Sequence, residues 1–207
     1  MSNGTITFLG CGSWAAALGS VLENKGMNVR FWHRNPKTVR DMQMTRKHYL
    51  MPNVKFGQSV SFHSDINEAI VGSKNIVLAV PSQNVREIIL KIKHVIDSSI
   101  CIINVAKGIE KETLKTVSEV VFDVTKDLSN YVTISGPSHA EEVLAKSPTT
   151  IVSASKNMSS AKFVQKLFST NKFRVYTNND LIGVEIGGSA KNVIAIAAGF
   201  CDGFGYG

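Results

Sequence analysis

Between an apolar segment, Ile6-Thr7-Phe8-Leu9, and a helix-length stretch, Trp14 to Lys25, the chain places Gly10-Cys11-Gly12-Ser13-Trp14-Ala15. This feature constrains the fold most. A glycine turn that leaves a strand and opens a helix sets unpaired helix amides at the end of a sheet. The pattern is G-x-G-x-x-G/A, a dinucleotide fingerprint. Gly10 allows the tight turn, Gly12 lets a pyrophosphate approach the backbone, and Ala15 is small enough for close helix–strand packing. Gly26 ends the helix from a left-handed position.

The same alternation runs on. Val29 to Trp32 reads as a strand, and Asn35 caps a helix with Pro36 in its first turn, where the missing N–H costs nothing. Residues 46–57 are irregular around Pro52 and Asn53, Val60 to His63 is a short strand, and Asp65 opens a short helix with Glu68 as capping-box partner. The run Asn75 to Val80, ended by Pro81, predicts a central parallel strand buried on both faces. Val85, Ile88, Ile89 and Ile92 form a helical stripe; so do Leu114, Val117, Val120, Val121 and Val124. Further strands are expected at Ile100–Val105, Tyr131–Ile134, Thr150–Ala154 and Phe173–Tyr176, and helices at Ser138–Ala145 and Ala161–Phe168. From Leu181 to Phe200 the chain is apolar, rich in Ala and Gly, and helical in length. This order predicts an α/β fold: a doubly wound, mostly parallel sheet over residues 1–180, then the start of an all-helical second domain over 181–207. The ending, Cys201 to Gly207, with Asp202 its one charge and no capping closure, reads as a truncation or fragment.

Composition removes other classes. With 43% hydrophobic residues in 207, the chain has enough apolar content for a sizeable core. Its longest apolar run, Val193 to Cys201, is nine residues, and the N-terminus has no basic-then-apolar leader, so neither a membrane span nor a signal peptide is expected. Three scattered cysteines, Cys11, Cys101 and Cys201, without C-x-x-C, suit a reduced, cytoplasmic setting and no zinc or other metal site. Of the net charge of +7, residues 1–50 hold +5, from seven Lys/Arg and two Asp/Glu. No basic run or nucleic-acid signature accompanies it, so a small anionic ligand suits it better than nucleic acid.

Four further places carry chemistry. After the second strand, Trp32-His33-Arg34-Asn35 offers no carboxylate for a ribose 2′-hydroxyl, and Arg34 can pair a 2′-phosphate; NADPH is expected to be preferred or accepted. Lys107, beside Gly108, follows a buried strand, where ligands of doubly wound sheets bind. Ser135-Gly136-Pro137-Ser138-His139-Ala140-Glu141-Glu142 offers amides and the Ser138 hydroxyl, with Ser138 otherwise a plain N-cap. Lys191 stands among Gly, Ala, Ile and Val, surroundings that lower a lysine pKa and make it a candidate acid/base. Cys11 reads as a packing residue.

Together these residues carry a resemblance. Gly10-Cys-Gly-Ser-Trp, His48-Tyr-Leu, Ala106-Lys-Gly, Ser135-Gly-Pro-Ser-His-Ala-Glu-Glu-Val, Gly183-Val-Glu through Lys191-Asn-Val-Ile-Ala-Ile-Ala-Ala-Gly, and Asp202-Gly resemble bacterial NAD(P)-dependent glycerol-3-phosphate dehydrogenase over essentially the whole chain. The resemblance implies reversible reduction of dihydroxyacetone phosphate to sn-glycerol 3-phosphate with NADPH or NADH, for phospholipid synthesis. By it, Ser13, Trp14, His33, Arg34, Tyr49, Lys107 and Ala140 match cofactor contacts, beside Gly10 and Gly12. Lys107, Gly136, Ser138 and Lys191 match substrate contacts, with Lys191 the proton donor and acceptor. It also implies a helical domain beyond position 207 whose Arg-Asn pair grips the substrate phosphate, with homodimerisation of the complete enzyme left open. Without those helices, apolar surface around residues 181–200 is expected to lie uncovered. Two other readings compete: a module that binds NADP(H) without turnover, and a related ketopantoate or 6-phosphogluconate type reductase, against which Ser135-Gly-Pro-Ser and its distance from Lys191 argue.

Overall fold

The structure is a computed structural model and describes residues 4–206. Met1 to Asn3 and Gly207, on which part of the reading of the chain ends falls, lie outside the described residues. Strand β1 (Thr5–Leu9) leads to α1 (Ser13–Asn24), β2 (Asn28–Trp32) to α2 (Pro36–Thr45), and β3 (Val60–His63) to α3 (Ile66–Ile70). Then come β4 (Asn75–Leu78), α4 (Val85–Ile92), β5 (Cys101–Asn104), α5 (Val117–Thr125), β6 (Tyr131–Ser135) and α6 (Ala140–Leu144). The last elements are β7 (Thr149–Ala154), α7 (Met158–Phe168), β8 (Phe173–Asn178) and α8 (Leu181–Gly203).

The sheet order is β3-β2-β1-β4-β5-β6-β7-β8. Every pairing is parallel except β6 with β7, so the last two strands run against the first six. The expected doubly wound sheet is present, and its order reverses between β1 and β4. Alternation along β4 explains its uninterrupted apolar run: Val77 joins the core under α1 and α7, while Ile76 and Leu78 join the core under α4 and α5. Each such side chain contributes roughly 1.5–3 kcal/mol by leaving water.

Helix starts differ from the sequence reading at three places. Asp65 does cap α3, accepting the Asn67 N–H at 2.7 Å, but Glu68 closes no box and lies 4.0 Å from His63 Nδ1. A carboxylate does reach back at α5, where Glu119 Oε2 accepts the Thr116 N–H at 2.8 Å. That cap starts the helix late and excludes Leu114, which turns at φ +56° and is 77% exposed. Ser138 caps nothing; α6 begins at Ala140 behind His139, and the Ser138 hydroxyl instead donates to the Gly136 carbonyl at 3.5 Å.

Among the described residues of α8, Leu181 and Glu185 are the buried ones. Its 23 residues are long and apolar enough to cross a membrane by length and composition, which the nine-residue run had not suggested. Val193, Ile194, Ile196 and Phe200 stand exposed, the uncovered surface the sequence anticipates.

The turn at Gly10 fixes the sheet's centre. Its φ is +113°, and a Cβ there would lie 2.3 Å from the Ala79 carbonyl oxygen, so two backbones meet where β1 and β4 end. Gly10→Ala should therefore lower stability by about 2–4 kcal/mol, read as a fall in the urea midpoint; an unchanged midpoint would show that this contact is not needed.

Candidate dinucleotide and active site

Two cavities open at the C-terminal ends of the parallel strands and share Gly12, Ala79, Val80 and Pro81. They form one crevice across the β1/β4 switch point, where open α/β sheets bind ligands. The first arm, about 360 Å³, brings together Gly10, Gly12, His33, Arg34 and Tyr49. The second, about 450 Å³, brings together Gly12, Ser13, Trp14, Lys107, Ser138 and Ala140. Gly136 lines neither arm but lies two residues before Ser138. A larger hollow of about 880 Å³ lies along α1 beside Lys25 and Lys172 and holds none of these residues.

The centre of the crevice is the start of α1. Gly12 is its N-cap and supplies no side-chain hydrogen bond, so the first-turn amides are left for a ligand. Nothing lies within 4 Å of where a Gly12 Cβ would stand. The buried Trp14 indole N–H also has no partner. Uncapped amides over open space fit a pyrophosphate.

The first arm is built of rings and one free cation. His33 and Tyr49 rings lie 5.1 Å apart, and Tyr49 lies 4.9 Å from His48. Burial lowers the His33 pKa, with Arg34 adding to the effect, and the neutral ring accepts the Asn35 N–H at Nδ1, 3.1 Å away. Arg34 is exposed and makes no hydrogen bond or ion pair among the described residues, whereas Lys91 in the same arm is held by Glu87 at 2.6 Å. His48 Nε2 meets the Cys11 carbonyl at 2.9 Å and so pins the irregular 46–57 segment to the glycine turn. The Cys11 thiol is pushed up to about 12 by burial and lies 3.9 Å from Met42 Sδ, a packing residue as expected.

The second arm holds one lysine, Lys107. Lys107 follows β5, with its ammonium 6.0 Å from the Trp14 ring centroid. Its pKa is lowered, first by burial and then by the positive charge of Lys191. Lys191 reaches this point from α8 and is half-buried. The lowered lysine pKa falls on Lys107.

Three polar residues were not singled out from the sequence as site residues: His48, Glu185 and Ser189. Glu185 is 6% exposed, and its carboxylate accepts from Tyr131 Oη and Thr133 Oγ1, both at 2.8 Å, and from Ser118 Oγ at 2.6 Å. A lone carboxylate in an apolar helix was the available signal. Gly188 lets the helix close in: a Cβ there would lie 2.4 Å from Ser135 Oγ.

Fold and crevice together define a class, a dinucleotide-binding domain of the Rossmann type. Residues 5–161 match the family model for the NAD-dependent glycerol-3-phosphate dehydrogenase N-terminus, and residues 180–207 match that for its C-terminus. The chain is 46% identical to the glycerol-3-phosphate dehydrogenase [NAD(P)+] of Clostridium tetani over 203 residues, 98% of this chain and 58% of that protein. It is 46% identical to that of Chlorobium phaeobacteroides over 205 residues, 98% of this chain and 61% of that protein. The crystal structure of glycerol-3-phosphate dehydrogenase from Coxiella burnetii superposes with a TM-score of 0.91 at 36% identity, covering 99% of this chain and 63% of the other. The chain belongs to the NAD-dependent glycerol-3-phosphate dehydrogenase family. It spans about 60% of the length of these relatives.

Because the folded Lys107 pKa lies below its unfolded value, the unfolded chain binds more protons between the two, and this group's penalty fades as pH rises through that window. Lys107→Met should therefore raise the melting temperature at pH 7, by less than about 1 kcal/mol of stability given solvent screening, with the gain shrinking at alkaline pH. A melting temperature that falls at pH 7 would contradict this.

Proposed function

We propose that this chain works in the reversible reduction of dihydroxyacetone phosphate to sn-glycerol 3-phosphate with NADPH or NADH, a cytoplasmic reaction feeding glycerophospholipid synthesis. The observation that carries the reading is the two-armed crevice over the uncapped start of α1, with Lys107 in its second arm and the Lys191 charge near enough to lower the Lys107 pKa. The uncapped α1 amides hold the pyrophosphate, His33 and Tyr49 flank the adenosine arm, and Arg34 pairs a 2′-phosphate. Trp14 and Ala140 wall the nicotinamide arm, and Gly136 and Ser138 offer polar groups to the substrate. When bound, the nicotinamide supplies a hydride in one direction and accepts it in the other.

The chain's own residues manage charge and protons. A ketone oxygen between the two ammonium groups becomes more basic as negative charge develops on it, and both cations stabilise that charge. Lys191 Nζ delivers the proton and recovers it in the reverse direction. Lys107 gains from the same event, since an anion opposite it relieves the repulsion that lowers its proton affinity. Residues 180–207 match the family model for the C-terminus, and α8 (Leu181–Gly203) is the described part of that match. No nucleic acid or membrane partner enters the reading.

In the complete enzyme, Lys191→Ala should reduce turnover by about 10³-fold and leave NADPH affinity unchanged; retained activity would remove Lys191 from this role. NADPH binding by the chain itself without oxidation on adding dihydroxyacetone phosphate would favour the binding-module reading.

Arg34→Ala should weaken NADPH by about tenfold or more and NADH far less, the loss expected of one charge-assisted contact to a phosphate. Fluorescence titration with both nucleotides checks this, and equal losses would exclude a contact to the 2′-phosphate.

A further inference from the structure

We infer that Ser189, seated on the buried Glu185 network, is a positioning residue that fixes the spacing between the Lys107 and Lys191 side chains. This rests on the reading of those lysines proposed above. Lys107 sits in a loop and Lys191 in a helix, so nothing local holds them face to face. The structure supplies the missing link twice. Ser189 Oγ accepts the Gly108 N–H at 3.1 Å and donates to the Glu185 carbonyl at 2.8 Å. On the other side of Lys107, the Ala106 N–H donates to Asn104 Oδ1 at 2.9 Å. Asn104 Nδ2 then donates to Thr133 Oγ1 at 3.3 Å, and Thr133 donates to the Glu185 carboxylate at 2.8 Å. The amides flanking Lys107 are thus tied by separate routes to one residue of α8.

Ser189 is the adjustable member of this frame. It lies two residues before Lys191 and one after Gly188, where a Cβ would meet Ser135 Oγ of β6. It touches neither arm of the crevice. Its hydroxyl turns a helix–loop contact into a fixed distance, because one oxygen serves a loop amide and a helix carbonyl together. Without it, the Gly108 amide turns to water and the loop is free to carry Lys107 away from Lys191. Among charged groups, Lys191 is the one that shifts Lys107; His139 and Glu141 line the same cavity.

The test is Ser189→Ala against Ser189→Thr in this chain. Alanine favours the helix, so α8 is not weakened, and threonine keeps the hydroxyl. Two readouts need no turnover: hydrogen exchange of the Gly108 amide, and titration of Lys107 by NMR of ¹³C-methylated lysines, assigned with Lys107→Arg. Ser189→Ala should speed Gly108 exchange by about tenfold or more. It should also move the Lys107 titration to higher pH as Lys191 recedes. Ser189→Thr should restore both. Unchanged exchange and titration in Ser189→Ala would overturn the proposal, as would failure of Ser189→Thr to restore either one. An NADPH titration of the unsubstituted chain separates this from the functional reading: a chain that binds no nicotinamide nucleotide sinks that reading and leaves the tether measurable.

Discussion

A carboxylate that leaves water with no cation beside it persists only if hydrogen-bond donors replace the hydration it gave up. Glu185 is in that position: no ion pair reaches it among the described residues, yet donors from Ser118, Tyr131 and Thr133 surround it. The Ser118 N–H belongs to the first turn of α5, so the carboxylate also sits at the positive end of a helix dipole. Burial and the neighbouring carboxylate hold the Tyr131 hydroxyl protonated far above its usual range, which keeps the network intact across ordinary pH. An apolar contact can slide along a helix at little cost. This one cannot, because the donors come from two different elements and a shift of α8 by one residue would strand them all. The placement of Lys191, six residues on, follows from that single satisfied arrangement.

Much of the frame was legible because its signals are local. The glycine fingerprint, the Asn35-Pro36 helix start and the buried run at β4 each follow from backbone chemistry within a few residues. The late start of α5 has a plain cause. A hydrophobic stripe gives a helix its face and not its first residue, so Leu114 matched the α5 period while Thr116 and Glu119 set the cap beyond it. Strand direction is equally silent in a period of two, which is why nothing at Thr149–Ala154 announced an antiparallel entry.

The site was legible to the same depth. His33, Arg34, Lys107 and Ser138 could be singled out because each follows a strand end, and the fold gathers strand ends around the two cavities. Lys191 was reached by a different argument, that apolar neighbours imply burial, and the structure qualifies it. The apolar residues around Lys191 lie beyond the last buried position of α8 and leave it half-buried. What depresses a lysine here is Lys107's own burial together with a like charge brought from a distant part of the chain, and no local spacing encodes that meeting. His48, Glu185 and Ser189 escaped notice because their partners are backbone groups and buried hydroxyls that only the tertiary fold supplies.

The crevice distributes charge according to what each part of a ligand carries. The first arm presents a ring kept neutral by burial, with the unpaired Arg34 guanidinium at its rim; the start of α1 offers amides without side-chain charge; the second arm holds Lys107, whose proton affinity the Lys191 charge lowers. Such repulsion is a standing cost, and a flexible pair would escape it by moving apart, losing the field that a developing oxyanion needs. Holding the pair together therefore requires stiffness from elsewhere. The bonds that supply it all lie at or before Ser189, on the half of α8 that packs against the sheet, so the exposed residues from Val193 onward contribute nothing to the spacing of the pair. Geometry at the reacting end and cover over the helix's outer half are thus separate structural tasks, carried by different stretches of the same helix.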